Sequence, residues 1–284
     1  MKLYSINTEL FKLDGGAMFG VVPKTLWSKQ IPADENNLIT LAMRLLLIED
    51  ENKLILIDTG IGSKQDEKFF GHYYLNKENT LEKSLAKHGF SKDDITDVFL
   101  THLHFDHVGG AIEIDDGNLV PAFKNAVYWS NETHWNWAIE PNAREKASFL
   151  KENILPIEQS GKLQFIQVPE DANTIVPFTK NISVRFVSGH TNAMMVPQIK
   201  YKDKTIVYMA DLIPTSAHFG LPYIASYDVY PLTALQEKEI FLNEAVDNDY
   251  ILFFEHDANV ECCTLWKNEK NKIIIKHQFK IEDI

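Results

Sequence analysis

The sequence predicts an α/β protein, and three observations carry that reading. Apolar, β-branched runs at 38–48, 53–57, 95–100, 182–187, 205–210 and 250–254 read as buried strands. Helix-periodic stretches lie between them, at 80–88, 131–155 and 231–246. The run at 95–100 stops at a dense cluster of polar residues, and open α/β sheets carry their sites at the carboxyl ends of strands.

That cluster is Thr101-His102-Leu103-His104-Phe105-Asp106-His107-Val108-Gly109-Gly110. It packs three imidazoles and one carboxylate into six residues, a density that no structural role needs. His102 and His104 are two apart, so on an extended segment they point the same way. Asp106 and His107 follow where the chain must bend, and Gly109-Gly110 permits a tight bend. Neutral imidazole and carboxylate suit zinc, iron, nickel or manganese. Four ligands this close do not easily serve one tetrahedral ion that keeps an open position. Two ions fit better, with His102 and His104 on one and Asp106 and His107 on the other.

His-x-His-x-Asp-His directly after an apolar strand resembles the metallo-β-lactamase superfamily. The resemblance implies an αβ/βα sandwich of two mixed β-sheets flanked by helices, here a single domain over 1–284, with a two-metal site at one edge. It also implies a further His, a bridging Asp and a last His downstream. His190, Asp211 and His256 each follow an apolar run and fill those places in type and order. By the same resemblance His102, His104 and His190 hold the first ion, Asp106, His107 and His256 hold the second, and Asp211 bridges both. The cofactors so implied are two divalent metal ions, zinc first, with cobalt, manganese or iron compatible with the same donors. Paired ions of this kind polarise a carbonyl or phosphoryl oxygen and activate water near neutral pH. Asp106 is then the proton carrier, and Asp106 and Asp211 are the catalytic carboxylates. Asp58-Thr59-Gly60, at the end of the run 53–57, resembles the superfamily's Asp-Thr-Gly element, in which the Asp orients the metal-binding loops. The other reading of Asp58 is a turn residue capping its own backbone.

The resemblance narrows further. A bridging Asp211 is unlike the true β-lactamases, and His104 stands where flavin-linked diiron oxygen reductases carry Glu. No basic cluster lies near the motifs, as the glutathione-thioester hydrolases of the glyoxalase II branch favour. The quorum-quenching N-acyl homoserine lactone lactonases share the seven ligands. The stretch 13–23 with Leu26-Trp27-Ser28-Lys29 resembles their AidC-like and YtnP-like branch, and also the methyl parathion hydrolases. The expected activity is lactone opening by a metal-dependent hydrolase of carboxylic esters, with phosphotriester hydrolysis as the alternative enzymatic reading. A metal-stabilised sensor or scaffold would need a blocked ligand position, and every position holds a competent residue. Several of these lactonases place a Tyr three residues after the bridging Asp. Here that residue is Pro214, so the role falls to another donor such as His218 or Tyr223, or is absent. Met18, Phe19, Trp27 and Phe219 are the apolar candidates for holding an acyl chain.

Composition sets the remaining bounds. The 284 residues carry 40 Asp and Glu against 28 Lys and Arg, a net charge of −12. Such a surface repels polyanions, so nucleic acid is not an expected partner. No apolar run reaches membrane-spanning length and no secretory signal opens the chain, so the expectation is a cytoplasmic protein without a membrane partner. Cys262 and Cys263 are adjacent and read as buried strand residues. His134 reads as structural, the ligand set being complete without it. The stretch 13–23 reads as a glycine-rich loop and 112–120 as an acidic loop, while Pro141 should break the helical stretch 131–155. A homodimer is expected if the loop around Trp27 is an apolar patch.

Overall fold

The apolar runs become strands in a computed structural model that describes residues 1–76, 78–171 and 174–284. β1 (Lys2–Asp14) leads through two short helices, α1 (Gly15–Phe19) and α2 (Lys24–Trp27), to β2 (Leu38–Asp50) and β3 (Lys53–Ile57). β2 and β3 form the expected hairpin, with Leu46 opposite Ile57 and Asp50 opposite Lys53. Next come α3 (Glu67–Gly71), α4 (Leu81–Lys87), β4 (Asp97–Phe99), α5 (Phe105–Val108), β5 (Ile112–Asp115), β6 (Asn118–Pro121) and β7 (Val127–Ser130). They are followed by α6 (Glu132–Ile139), α7 (Lys151–Gln159), β8 (Leu163–Phe165), β9 (Val176–Pro177), β10 (Ile182–Val187), β11 (Met194–Tyr201) and β12 (Lys204–Tyr208). The chain closes with α8 (Pro231–Asp247), β13 (Ile251–Phe253), β14 (Cys262–Lys267) and β15 (Ile273–Phe279).

The described residues divide into two compact units, one of residues 1–9 and 43–170, the other of 10–42 and 171–284. β1 and β2 each begin in one unit and end in the other. A six-stranded sheet runs β1-β2-β3-β4-β7-β8, with β3, β4, β7 and β8 wholly in the first unit. β3, β4, β7 and β8 are parallel, and helices make the crossovers, as parallel neighbours require. Its core gathers Leu45, Leu47, Leu56, Val98, Leu100, Tyr128, Trp135 and Ile154, all fully buried or nearly so. In the second unit a seven-stranded sheet runs β15-β14-β13-β12-β11-β10-β9. β12 and β13 are parallel with α8 as the crossover, and the other pairs are antiparallel. Two mixed sheets with helices are therefore present, as expected from the sequence.

Several local expectations change. The stretch 13–23 is not a plain loop: Asp14 accepts from the Ala17 N–H at 2.8 Å and starts α1. The acidic stretch 112–120 is a hairpin, β5 against β6. The helical stretch 131–155 is two helices, separated at Pro141 as expected, with α7 extending to Gln159. β11 escapes sequence reading because it is buried on both faces and contains Pro197. Cys262 and Cys263 are buried free thiols in β14. Among the described residues no helix is long and apolar enough to cross a membrane.

Candidate metal centre

In the first unit β4 delivers the chain to Thr101 and His102, and α5 begins directly after His104. His107 carries its carbonyl toward the loop after β3, where the Thr59 N–H and hydroxyl donate to it at 2.7 and 2.8 Å. The backbones of these two loops touch. A Cβ on Gly109 would stand 2.1 Å from the Ile61 carbonyl oxygen, and one on Gly110 2.2 Å from that of Thr59. Close approach is thus the reason for the glycine pair.

His102 and His107 each have one ring nitrogen held from behind. The Asp58 carboxylate, fully buried, accepts from the Thr101 N–H at 2.8 Å and from its hydroxyl at 2.7 Å. It also lies 3.1 Å from His107 Nδ1, and the Thr101 hydroxyl oxygen lies 3.1 Å from His102 Nδ1. One carboxylate therefore orients two imidazoles, His107 directly and His102 through Thr101. His104 Nε2 lies 3.5 Å from Glu145 Oε1, and Glu145 is itself fixed by Trp137 Nε1 at 2.7 Å and Asn142 Nδ2 at 2.6 Å. The remaining nitrogens, His102 Nε2 and His104 Nδ1, face each other at 3.1 Å. Asp106 and His107 offer ligand atoms within 4.8 Å of one another. His134 is buried, and its Nε2 accepts from the Leu103 N–H at 2.9 Å, a structural role as expected.

In the second unit β10, β12 and β13 point the same way, so His190, Asp211 and His256 emerge from one edge of the sheet. The Asp211 carboxylate offers one oxygen to each imidazole: Oδ2 is 3.1 Å from His190 Nε2, and Oδ1 is 3.1 Å from His256 Nε2. Behind them His256 Nδ1 donates to the Ala42 carbonyl at 2.9 Å, and His190 Nδ1 to Asp228 at 2.8 Å. Burial alone would push the His190 imidazole down, but Asp211 and Asp228 together carry it up to about 10. Asp257 ties the turn after His256 to Ser216, accepting from its N–H at 2.8 Å and its hydroxyl at 2.6 Å.

The donor set in both units fits divalent ions. Imidazole nitrogens and carboxylate oxygens are presented together, and the second nitrogen of His102, His107, His190 and His256 is held by a carboxylate, hydroxyl or carbonyl. Asp106 and Asp211 keep 13% and 14% of their side chains open, against 0% for His107 and 3% for His256, so the carboxylates are the reachable members.

The other candidates divide. Phe19 stacks between Trp27 at 5.2 Å and His218 at 4.5 Å, with Tyr223 edge-on at 5.9 Å. His218 is buried, with Nε2 donating to the Met18 carbonyl at 2.9 Å and Nδ1 accepting from the Thr215 hydroxyl at 2.8 Å. Burial first, and Lys238 second, lower its pKa to about 4. Met18, Phe19, Trp27 and His218 thus build the wall of their own unit and present little free surface. Phe219 and Tyr223 are half-buried. Trp27 is only 1% exposed, so the apolar surface of that segment lies instead on Val21 and Leu26, at 90% and 49%. Sequence reasoning missed Glu145, Asp228, the fully buried Lys238 and an aromatic group on the histidine motif. In that group Phe105 meets Phe69 at 5.4 Å and Tyr73 at 4.7 Å. The one signal for it was Phe69-Phe70 in an otherwise polar stretch.

Fold and donor set together define a metal-dependent hydrolase. The model of the metallo-beta-lactamase superfamily matches residues 45–256, and the chain belongs to that superfamily. A probable metal-dependent hydrolase from Staphylococcus aureus, of known structure, is 30% identical, with a TM-score of 0.88 over 98% of this chain and 96% of its own. An N-acyl homoserine lactonase from Bacillus cereus is 24% identical over 239 residues, 79% of this chain and 85% of the relative. AidC, a dizinc quorum-quenching lactonase, shares the fold at a TM-score of 0.77 and 23% identity, over 96% of this chain and 92% of its own.

Proposed function

We propose that this hydrolase opens the ring of N-acyl homoserine lactones, with His102, His104 and His190 on one ion, Asp106, His107 and His256 on a second, and Asp211 shared. The observation that carries the reading is the Asp211 carboxylate, which turns one oxygen to each of two histidines at 3.1 Å. The lactonases among the relatives support the substrate class. Zinc is the ion we propose, from the donor chemistry and the dizinc relative. When bound, the ions would polarise the ester carbonyl and make water a nucleophile at neutral pH.

The chain's own residues do the rest. Asp106 takes the proton released as water adds to the carbonyl carbon, and returns it to the ring oxygen as the ester C–O bond breaks. Its partly open side chain suits both transfers. Asp58 and Thr101 hold His102 and His107 in one tautomer throughout. Phe105 with Phe69 and Tyr73, and separately Phe219 and Tyr223, are the apolar groups we propose for the acyl chain. The exposed Val21 and Leu26 are the surface on which a homodimer would form.

The test is hydrolysis of a panel by the zinc-loaded protein, followed by proton release. The panel holds short- and long-chain acyl homoserine lactones, a simple γ-lactone, an aryl phosphotriester and a glutathione thioester. Preferred turnover of the acylated lactones is expected; preference for the phosphotriester or thioester would overturn the substrate assignment.

A further inference from the structure

We propose that Asp228 is a positioning residue for His190, holding the imidazole by Nδ1 so that Nε2 is the nitrogen offered to metal. The inference rests on the two-ion reading above and deepens it. Asp228 is 6% exposed and its Oδ1 lies 2.8 Å from His190 Nδ1. Its place is not accidental, because the whole segment before α8 is laced to the His190 loop. The Val229 N–H donates to the His190 carbonyl at 3.1 Å and the Tyr230 N–H to that of Gly189 at 2.9 Å. Glu237, in the second turn of α8, accepts from the N–H groups of Ser188 at 2.7 Å and Gly189 at 2.9 Å. Gly189 lies against the helix, where an added Cβ would stand 2.3 Å from Ala234 Cα. Both ends of the Asp228–His190 bond are therefore fixed by backbone.

The partner of His190 also differs in kind from that of its neighbour. His256 is held by the neutral carbonyl of Ala42 at 2.9 Å, whereas His190 is held by a carboxylate. A carboxylate behind an imidazole fixes its tautomer and raises the basicity of the nitrogen opposite. It follows that Asp228 strengthens one of two metal equivalents and leaves the other nearly unchanged.

The experiment is competition for zinc against a chromogenic chelator, with wild type, Asp228→Asn and Asp228→Ala. Asparagine keeps an acceptor and loses the charge; alanine loses both. Each variant should release one equivalent at roughly 10–100-fold lower chelator strength, alanine more readily than asparagine, with the second equivalent unmoved. Thermal midpoints of the metal-stripped forms check that the fold is intact. A wild type binding two zinc ions, with a folded Asp228→Ala indistinguishable from it, would overturn this inference alone. A wild type binding fewer than two would remove the reading beneath it. Should the variants not fold, the imidazole ¹⁵N shifts of zinc-loaded wild type decide: the proton of His190 is expected on Nδ1, and a proton on Nε2 refutes the assignment.

Discussion

Asp58 shows how much can hang on one side chain. It has φ of 58°, in the left-handed region, and its two oxygens serve Thr101 twice and His107 once. Asp58→Asn cannot accept all three bonds, so one partner loses its orientation. We expect a roughly 10–100-fold loss of metal affinity or activity, read by chelator titration and by kcat/KM on the preferred substrate. On the proposed two-ion reading, His104→Ala should remove one metal equivalent, read by elemental analysis. The histidine motif was legible because its four groups fall within six residues. Asp58 was legible as a candidate, and geometry chooses the orienting role over a self-capping turn. Glu145 and Asp228 were not legible, because the partner of each lies some forty residues away in the chain. No local pattern marks a carboxylate whose purpose is set by a distant imidazole.

At the scale of elements, the short helices after β1 owe their position to one stack of rings. Trp27, Phe19 and His218 lie nearly parallel, with interplanar angles of 11° and 6°. Phe19→Ala should cost about 3–5 kcal/mol in a denaturant melt, while Val21→Ala, at an exposed position, should change stability by less than about 0.5 kcal/mol. The stack also carries a pH dependence. The folded pKa of His218, about 4, lies below its ordinary value of 6.5. Below pH 6.5 the unfolded chain takes up a proton that the folded one refuses. This contribution to stability is complete above pH 6.5 and is lost as pH falls toward 4, by at most about 3 kcal/mol. His218→Phe should flatten the Tm profile in that window. None of this was visible in residues 13–23 alone. A helix of five residues shows no periodicity, and its stability comes from packing.

For the molecule as a whole, the alternation of strands and helices was legible because mixed sheets need crossovers, and most strands in the parallel parts are continuous apolar runs. The division into two units was not, since β1 and β2 carry the chain through it without a linker. We propose that the chain nevertheless unfolds as a single domain, in one calorimetric transition. Chelation of bound divalent metal should lower its midpoint, because ions bound only by the folded state stabilise it by mass action.

Lys238 sits fully buried on α8, its ammonium donating to the carbonyls of His218 and Gly220 at 3.0 Å and of Tyr223 at 2.7 Å. Three hydrogens meet three acceptors. Burial, against the pull of Asp228, brings its pKa down to about 8. Once the proton leaves, two hydrogens remain for the same three oxygens, and one carbonyl must turn elsewhere. The folded state as a whole is not weakened by that loss, since the lysine titrates below its unfolded value; the change falls on the loop it ties. Amide exchange at 218–223 should therefore quicken through pH 8 faster than base catalysis alone predicts, and Lys238→Met should remove the inflection. Lactones also open spontaneously in alkali, so rates taken on either side of pH 8 would compare two geometries of this loop as well as two concentrations of base.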